Sequence, residues 1–253
     1  MKIDAIPAFS DNYIWKLSDG EHAYVVDPGD ANAVIRTLLK SHEQLVGILV
    51  THHHADHVGG VRTLFEQFGC RIIGPASHKT GCPHETVKEG DTITLSPLPI
   101  QLRVVEVPGH TLDHVAYMGH GIALTGDTLF AGGCGRLFEG SAEQMWTSLS
   151  KLKALSDTTR IYCAHEYTLS NLKFAVTIEP DNPVLKSRLE AVMALRQQGE
   201  ITLPSSIELE KATNPFLRAD LPEVRRNVEK LIGQSLATPI ETFAAIRRLK
   251  DNF

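Results

Sequence analysis

Apolar and polar positions divide the chain into two textures that meet near residue 166. Before that point, short apolar or alternating runs recur at strand length: Ala23-Tyr24-Val25-Val26, Val46-Gly47-Ile48-Leu49-Val50 and Leu102-Arg103-Val104-Val105-Glu106-Val107. Their β-branched content suits a pleated, half-buried surface. Arg71-Ile72-Ile73, Thr92 to Leu95, Ile122 to Thr125 and Arg160 to Cys163 add strands punctuated by glycine and proline. Residues 1 to 29 read as β-structure ending at the turn Asp27-Pro28-Gly29. Two stretches between them carry a helical period: Ala33, Val34, Leu38 and Leu39 behind an N-cap at Asp30, and Val61, Leu64, Phe65 and Phe68. Ser141 and Gln144 form a capping box ahead of Met145, Leu149 and Leu152. Several strands follow one another with no helix between, which predicts stacked sheets flanked by helices rather than one parallel sheet.

Beyond His165 the strand patterns vanish. Asn182-Pro183 caps a helix through Leu185, Leu189 and Val192, and Gly199 stops it. Val224, Val228 and Leu231 mark another. Thr238-Pro239 with Glu241 caps the last, through Ile240, Phe243 and Ala244. The pattern therefore predicts a mixed α/β domain over 1–165 and a helical domain over 166–253.

With 253 residues, 42% of them hydrophobic and 22% charged, the chain has the makings of an ordinary globular core. No segment approaches the roughly 18 apolar residues of a membrane span, and the first residues lack the apolar core of a secretory signal. The four cysteines (Cys70, Cys82, Cys134, Cys163) are scattered without a CxxC pair. Reduced thiols and a cytoplasmic location are expected. The formal charge of −5, from 25 basic and 30 acidic residues, argues against nucleic-acid binding, which favours a basic domain.

The chemistry concentrates in Thr51-His52-His53-His54-Ala55-Asp56-His57, directly after a predicted strand. Imidazoles and a carboxylate are donors that zinc, iron and manganese select. A terminal tag would lack both the strand and the interleaved aspartate. Three further candidates stand at strand ends: His110, Asp127 and His165.

Taken together, these motifs resemble the metallo-β-lactamase superfamily and, within it, the glyoxalase II (hydroxyacylglutathione hydrolase) family. The resemblance rests on Pro7 to Tyr13, Thr51 to Gly60, Gly109-His110-Thr111, Gly126 to Phe130, Gly132 to Gly140, His165 to Thr168, Asn214 to Arg218 and Arg247 to Asp251. It implies a four-layer αββα sandwich with a smaller all-α C-terminal domain and a site for two divalent ions, zinc first, with iron or manganese as alternatives. The family pattern assigns His52, His54 and His110 to one ion and Asp56, His57 and His165 to the other, with Asp127 bridging. The implied activity is hydrolysis of S-D-lactoylglutathione and other 2-hydroxyacyl-glutathiones by a hydroxide shared between the ions, which Asp56 and Asp127 also orient. A thiolate leaving group with a pKa near 8.5 needs no dedicated general acid.

Glutathione is net anionic, and the resemblance places Arg136, Tyr167, Arg247 and Lys250 at its substrate contacts. On spacing alone, Arg247 and Lys250 equally suit a helix's last turn, where cations oppose its dipole. Two residues depart from the family pattern: Asp113 stands where glycine is usual, and Phe138 where some members carry a tyrosine. The expected partner is a glutathione thioester, with the chain a monomer bound to neither nucleic acid nor membrane. A one-iron persulfide dioxygenase, an RNA-processing relative and a non-catalytic metal module are the alternatives. The complete second ligand set argues against the first, charge against the second, and the full set of seven ligand residues against the third.

Overall fold

The computed structural model describes residues 2–77 and 80–253; Met1, His78 and Lys79 lie outside the described residues. The chain forms two compact units, one of residues up to Glu106 together with Asp113–Gly126, the other of Val107–Leu112 with Asp127–Phe253.

In the first unit, β1 (Lys2–Ala8), β2 (Asn12–Ser18) and β3 (His22–Val26) form an antiparallel meander. From β3 onward the sheet is parallel through β4 (Gln44–Leu49), β5 (Arg71–Gly74) and β6 (Glu85–Thr86), in sequential order. Helix α1 (Ala31–Ser41) makes the β3–β4 crossover; α2 (Ala55–Val58) and α3 (Val61–Phe68) make the next. Ala33, Val34 and Leu38 of α1 and Val61 and Leu64 of α3 pack with Ile6, Ile14, Val25, Ile48 and Ile72, which covers one face of this sheet with helix. A second, antiparallel run holds β7 (Thr92–Thr94), β8 (Gln101–Glu106), β9 (Val115–Gly119) and β10 (Ile122–Gly126), in spatial order β10-β9-β8-β7. Its strands reach the first sheet through buried tyrosines. Tyr117 of β9 donates to Val50 O at 2.7 Å, and Tyr24 of β3 donates to Ser96 O at 2.9 Å. Burial drives the Tyr117 phenol pKa well above its usual value, so it stays a neutral donor.

Parallel pairing has a functional consequence. Val26 of β3 lies opposite Leu49 of β4, so both strands finish at one edge and deliver Asp27 and the Thr51–His57 stretch there together.

The second unit opens with the hairpin β11 (Leu129–Phe130) and β12 (Gly133–Cys134) and continues through α4 (Ala142–Lys153) to β13 (Arg160–Cys163). Helices α5 (Thr168–Ile178) and α6 (Pro183–Gln197) pack through Leu172, Ala175, Leu185 and Val192. Then come β14 (Ser205–Ser206), α7 (Ile207–Thr213), α8 (Pro222–Ile232) and α9 (Pro239–Asp251). Phe174, Phe216 and Phe243 form an aromatic core, with centroids 6.2 and 5.7 Å apart along the chain of contacts.

The helix boundaries follow local capping chemistry. Asp30 accepts from the Asn32 and Ala33 amides, Ser141 and Gln144 close a reciprocal box, and Asn182 and Thr238 each cap the third amide of their helix. Two expectations are corrected. The metal-ligand stretch, which the sequence places in the loop between the 46–50 strand and the helix from Val61, is not all loop, since Asp56 and His57 belong to the short helix α2. Strands also do not end at His165, because Ser205–Ser206 pairs antiparallel with Arg160–Ile161. Two residues are too few to display alternation.

Among the described residues no helix is long and apolar enough to cross a membrane. No disulfide joins Cys70, Cys82, Cys134 and Cys163.

Candidate metal centre

The ligand candidates form two groups, one in each unit. In the first, His52 Nε2 lies 3.1 Å from His54 Nδ1, and His57 Nε2 lies 3.3 Å from Asp56 Oδ2. His53 turns away as the extended backbone requires, placing Nδ1 3.2 Å from Asp113 Oδ1; Ser77 hydrogen-bonds the other oxygen of that carboxylate. Asp113 is thus the partner of a histidine between two ligand candidates, rather than a free surface charge.

Asp27 stands behind this group, and sequence reasoning read it only as a turn residue. It accepts the Thr51 amide and the Thr51 hydroxyl, both at 2.7 Å, and lies 3.1 Å from His57 Nδ1. Because the Thr51 proton goes to Asp27, the Thr51 oxygen is left to accept from His52 Nδ1 at 3.0 Å. One buried carboxylate therefore fixes the tautomer of both His52 and His57, leaving each Nε2 with a lone pair for a metal. Asp27, His52 and His57 also fall together as a possible ligand cluster. The two Asp27 oxygens, however, are committed to Thr51 and to the far side of His57, so Asp27 acts through the imidazoles. It holds this pose at φ 52°, a left-handed conformation uncommon outside glycine. Gly29 follows, where a Cβ would sit 1.8 Å from the Asp56 carbonyl oxygen; only glycine lets the turn pass this close.

Asp27→Asn is expected to weaken metal binding by about 10- to 100-fold, since the amide cannot accept from both partners. Chelator competition against the folded variant measures this; unchanged affinity would remove Asp27 from the account.

In the second unit, Asp127 is central. Its Oδ2 lies 3.5 Å from His110 Nε2 and 3.4 Å from His165 Nε2. His110 Nδ1 donates to the Arg136 carbonyl at 2.8 Å, which again leaves Nε2 as an acceptor. A Cβ on Gly135 would lie 2.0 Å from the Asp127 carbonyl oxygen, so the loop can close over the two ligands only with glycine there. Tyr167, 36% exposed, stacks on the His165 ring at 4.7 Å and 6°. The exposed Phe138 sets its ring 5.2 Å from His110 at 70°.

These separations test whether the donors suit a metal. Ligand bonds of about 2.0–2.1 Å in tetrahedral array put neighbouring donors roughly 3.3 Å apart. The four donor pairs measured above, two per unit, span 3.1–3.5 Å. Nitrogen and anionic oxygen donors at that spacing fit a divalent first-row ion.

The cations expected at the substrate are gathered at the end of α9. Arg247 is 5% exposed; it donates to the Cys134 carbonyl at 2.9 Å, pairs with Asp251 at 2.9 Å and lies over the Phe216 ring. Arg136 is exposed and reaches Asp251 at 3.7 Å. Lys250 is half-buried, with Ser170 O and Oγ each 3.3 Å from Nζ. Its pKa is lowered by burial and then by Arg247 and Arg136, against the opposing pull of Asp251.

Comparison with known proteins agrees with the fold. Residues 10–165 match the Metallo-beta-lactamase superfamily, which is the α/β class expected and, with its histidine and aspartate donors, implies divalent metal ions. Among solved structures, ETHE1 from Myxococcus xanthus shares this fold at TM-score 0.67 and 24% identity, over 99% of this chain and 98% of that one. The BLEG-1 B3 metallo-beta-lactamase does so at TM-score 0.63 and 22% identity, over 85% and 99%. The remaining residues, 166–253, match the Hydroxyacylglutathione hydrolase C-terminus. Curated proteins named hydroxyacylglutathione hydrolase match end to end. That of Alkalilimnicola ehrlichii is 52% identical, covering 99% of this chain and 98% of its own; that of Ectopseudomonas mendocina is 50% identical over the full length of both. The chain belongs to the hydroxyacylglutathione hydrolase (glyoxalase II) family, whose members are thioester hydrolases.

Proposed function

We propose that this chain hydrolyses S-D-lactoylglutathione and related S-(2-hydroxyacyl)glutathiones to the hydroxyacid and free glutathione, the second step of methylglyoxal detoxification. The observation that carries the reading is the Asp127 carboxylate, one oxygen of which lies within donor-pair distance of both His110 and His165. A residue that bridges two ions needs such a placement. One ion is assigned to His52, His54 and His110, the other to Asp56, His57 and His165, and Asp127 to both. Zinc is the first choice of metal, with iron or manganese accepted by the same donors.

Bound in this set, divalent ions would supply Lewis-acid chemistry, acidifying a water and drawing charge from the thioester oxygen. The protein's own groups do the rest. Asp56, held by the Asn12 amide at 3.0 Å, and Asp127 orient the attacking water. Arg136, Tyr167, Arg247 and Lys250 are assigned to glutathione: Arg136 and Lys250 as the more open charges, Tyr167 as a flat surface over His165, and Arg247 from beneath through Asp251. The thiolate departs without a dedicated acid. The division of labour largely follows the boundary between the two family matches, with 1–165 carrying the chemistry and 166–253 the glutathione contacts apart from Arg136. We take the enzyme as a cytoplasmic monomer.

The test is thiol release from S-D-lactoylglutathione by the metal-loaded protein. Turnover should vanish on chelation and return with zinc, iron or manganese. Absence of release under every metal would reject the proposal.

A further inference from the structure

The helical segment contributes more than charges for glutathione. Buried polar side chains from it bond the β11–β12 hairpin at five backbone groups between Phe130 and Cys134. Asn171 donates to Ala131 O at 3.1 Å, and Asn214 donates to Phe130 O at 3.3 Å and Gly133 O at 3.0 Å. The Gly132 amide donates to Glu210 Oε2 at 2.8 Å, and Arg247 donates to Cys134 O at 2.9 Å. Glu210 and Asn214 are 0% exposed, Asn171 and Arg247 5%. Glu210 is the hub. Its other oxygen pairs with Arg188 at 2.6 Å and takes the Ser205 hydroxyl, while Oε2 also accepts from Asn214 at 2.9 Å.

A charge this deeply buried is a poor way to gain stability alone, because desolvation offsets most of the attraction. The hairpin it holds has chemistry at both ends. Asp127 enters it; Gly135 and Arg136 leave it, the Gly135 amide bonding Thr128 O at 3.2 Å and the Arg136 carbonyl seating His110. A metal ligand is precise only when the groups behind it are locked.

We infer that Glu210, charge-balanced by Arg188, is a positioning residue for the metal centre. By fixing the Gly132 amide and the Asn214 side chain, it sets the hairpin that carries Asp127 and orients His110. The inference rests on the two-ion reading, but its readout is metal affinity, independent of any thioester.

Two variants test it. Glu210→Gln keeps the shape but loses the charge and one acceptor. The double variant Arg188→Met with Glu210→Leu replaces the buried pair by apolar groups of similar volume, a change that folds tolerate. Both are expected to bind metal about 10- to 100-fold more weakly in chelator competition, with helical circular dichroism unchanged. Glu179→Gln is the control. Glu179 is equally buried and pairs with Arg218 at 2.9 Å, but it makes no bond to the hairpin, so its metal affinity should stay at the wild-type value. Folded Glu210 variants with wild-type affinity, or an equal loss in the Glu179 control, would overturn the inference. Should neither Glu210 variant fold, amide exchange in the wild-type holoenzyme decides: Gly132 as slow as the sheet core supports the anchor, and exchange at open-loop rates refutes it. A wild-type protein that binds no metal would instead reject the two-ion reading.

Discussion

Asp127→Asn is expected to lower kcat/KM by on the order of 10³-fold, the upper end of what losing one electrostatic contact costs an enzyme, and to reduce metal content from two ions to one. Two dications held about 3.5–4 Å apart repel strongly unless an anion lies between them. The proposed function assigns Asp127 to that place; its Oδ2 lies 3.5 and 3.4 Å from two imidazoles. An asparagine of the same shape keeps an oxygen but not the charge, and its amide would turn N–H groups toward a cation. Because asparagine matches aspartate in shape and fills the same buried place, the substitution is not expected to unfold the unit, and circular dichroism should be unchanged. Metal analysis and turnover are read on the same sample. A variant that keeps both ions and turns over within about threefold of wild type would show that charge at this position does not hold the pair.

What the sequence showed and what it hid divide by distance along the chain. The ligand candidates in 52–57 were legible because a strand followed by HxHxDH is a local pattern. The helix starts at Asp30, Ser141, Asn182 and Thr238 were legible because a cap bonds only two or three residues ahead. Helix α5 was not: Leu172, Phe174, Ala175 and Ile178 are buried around most of its circumference, which erases the amphipathic period. All seven residues of β2 are buried for a similar reason, including Lys16, whose charge meets Glu43 beneath the surface. Asp27 was hidden differently. Asp-Pro-Gly is a common turn, and its partners Thr51 and His57 stand 24 and 30 residues away. Glu210 is the extreme case, bonding an amide 78 residues distant from a helix whose own pattern says only that it is short and half-polar. The family resemblance reached the glycine-rich hairpin and two of its anchors, Asn214 and Arg247, but neither Glu210 nor the anchoring itself, since anchoring is a property of the packed helices.

Removing both open cations at the end of α9, Arg136→Ala with Lys250→Ala, is expected to raise KM by about 10²-fold while kcat moves less than about threefold. A charge-assisted hydrogen bond to a carboxylate is worth about 1.5–3 kcal/mol when shielded and less when solvent screens it. These contacts are assigned to parts of glutathione that do not react, so they stabilise ground and transition states alike and appear in KM. The pH profile separates Lys250 from a passive helix-end charge. Its pKa is held below the usual 10.5 by burial and by Arg247 and Arg136, with Asp251 opposing; the Ser170 hydroxyl and the uncharged rings of Phe174 and Phe253 also face it. The ammonium is therefore lost at a lower pH than in a free lysine, and kcat/KM should fall on the alkaline side accordingly. A bound carboxylate favours the protonated form, so kcat itself should show little of this limb. Arg136→Ala alone removes one repelling charge and should shift the limb to higher pH, whereas Lys250→Arg should abolish it, a guanidinium remaining protonated throughout. If the limb stays in Lys250→Arg, another group titrates there; if KM in the double variant matches wild type, glutathione is held elsewhere.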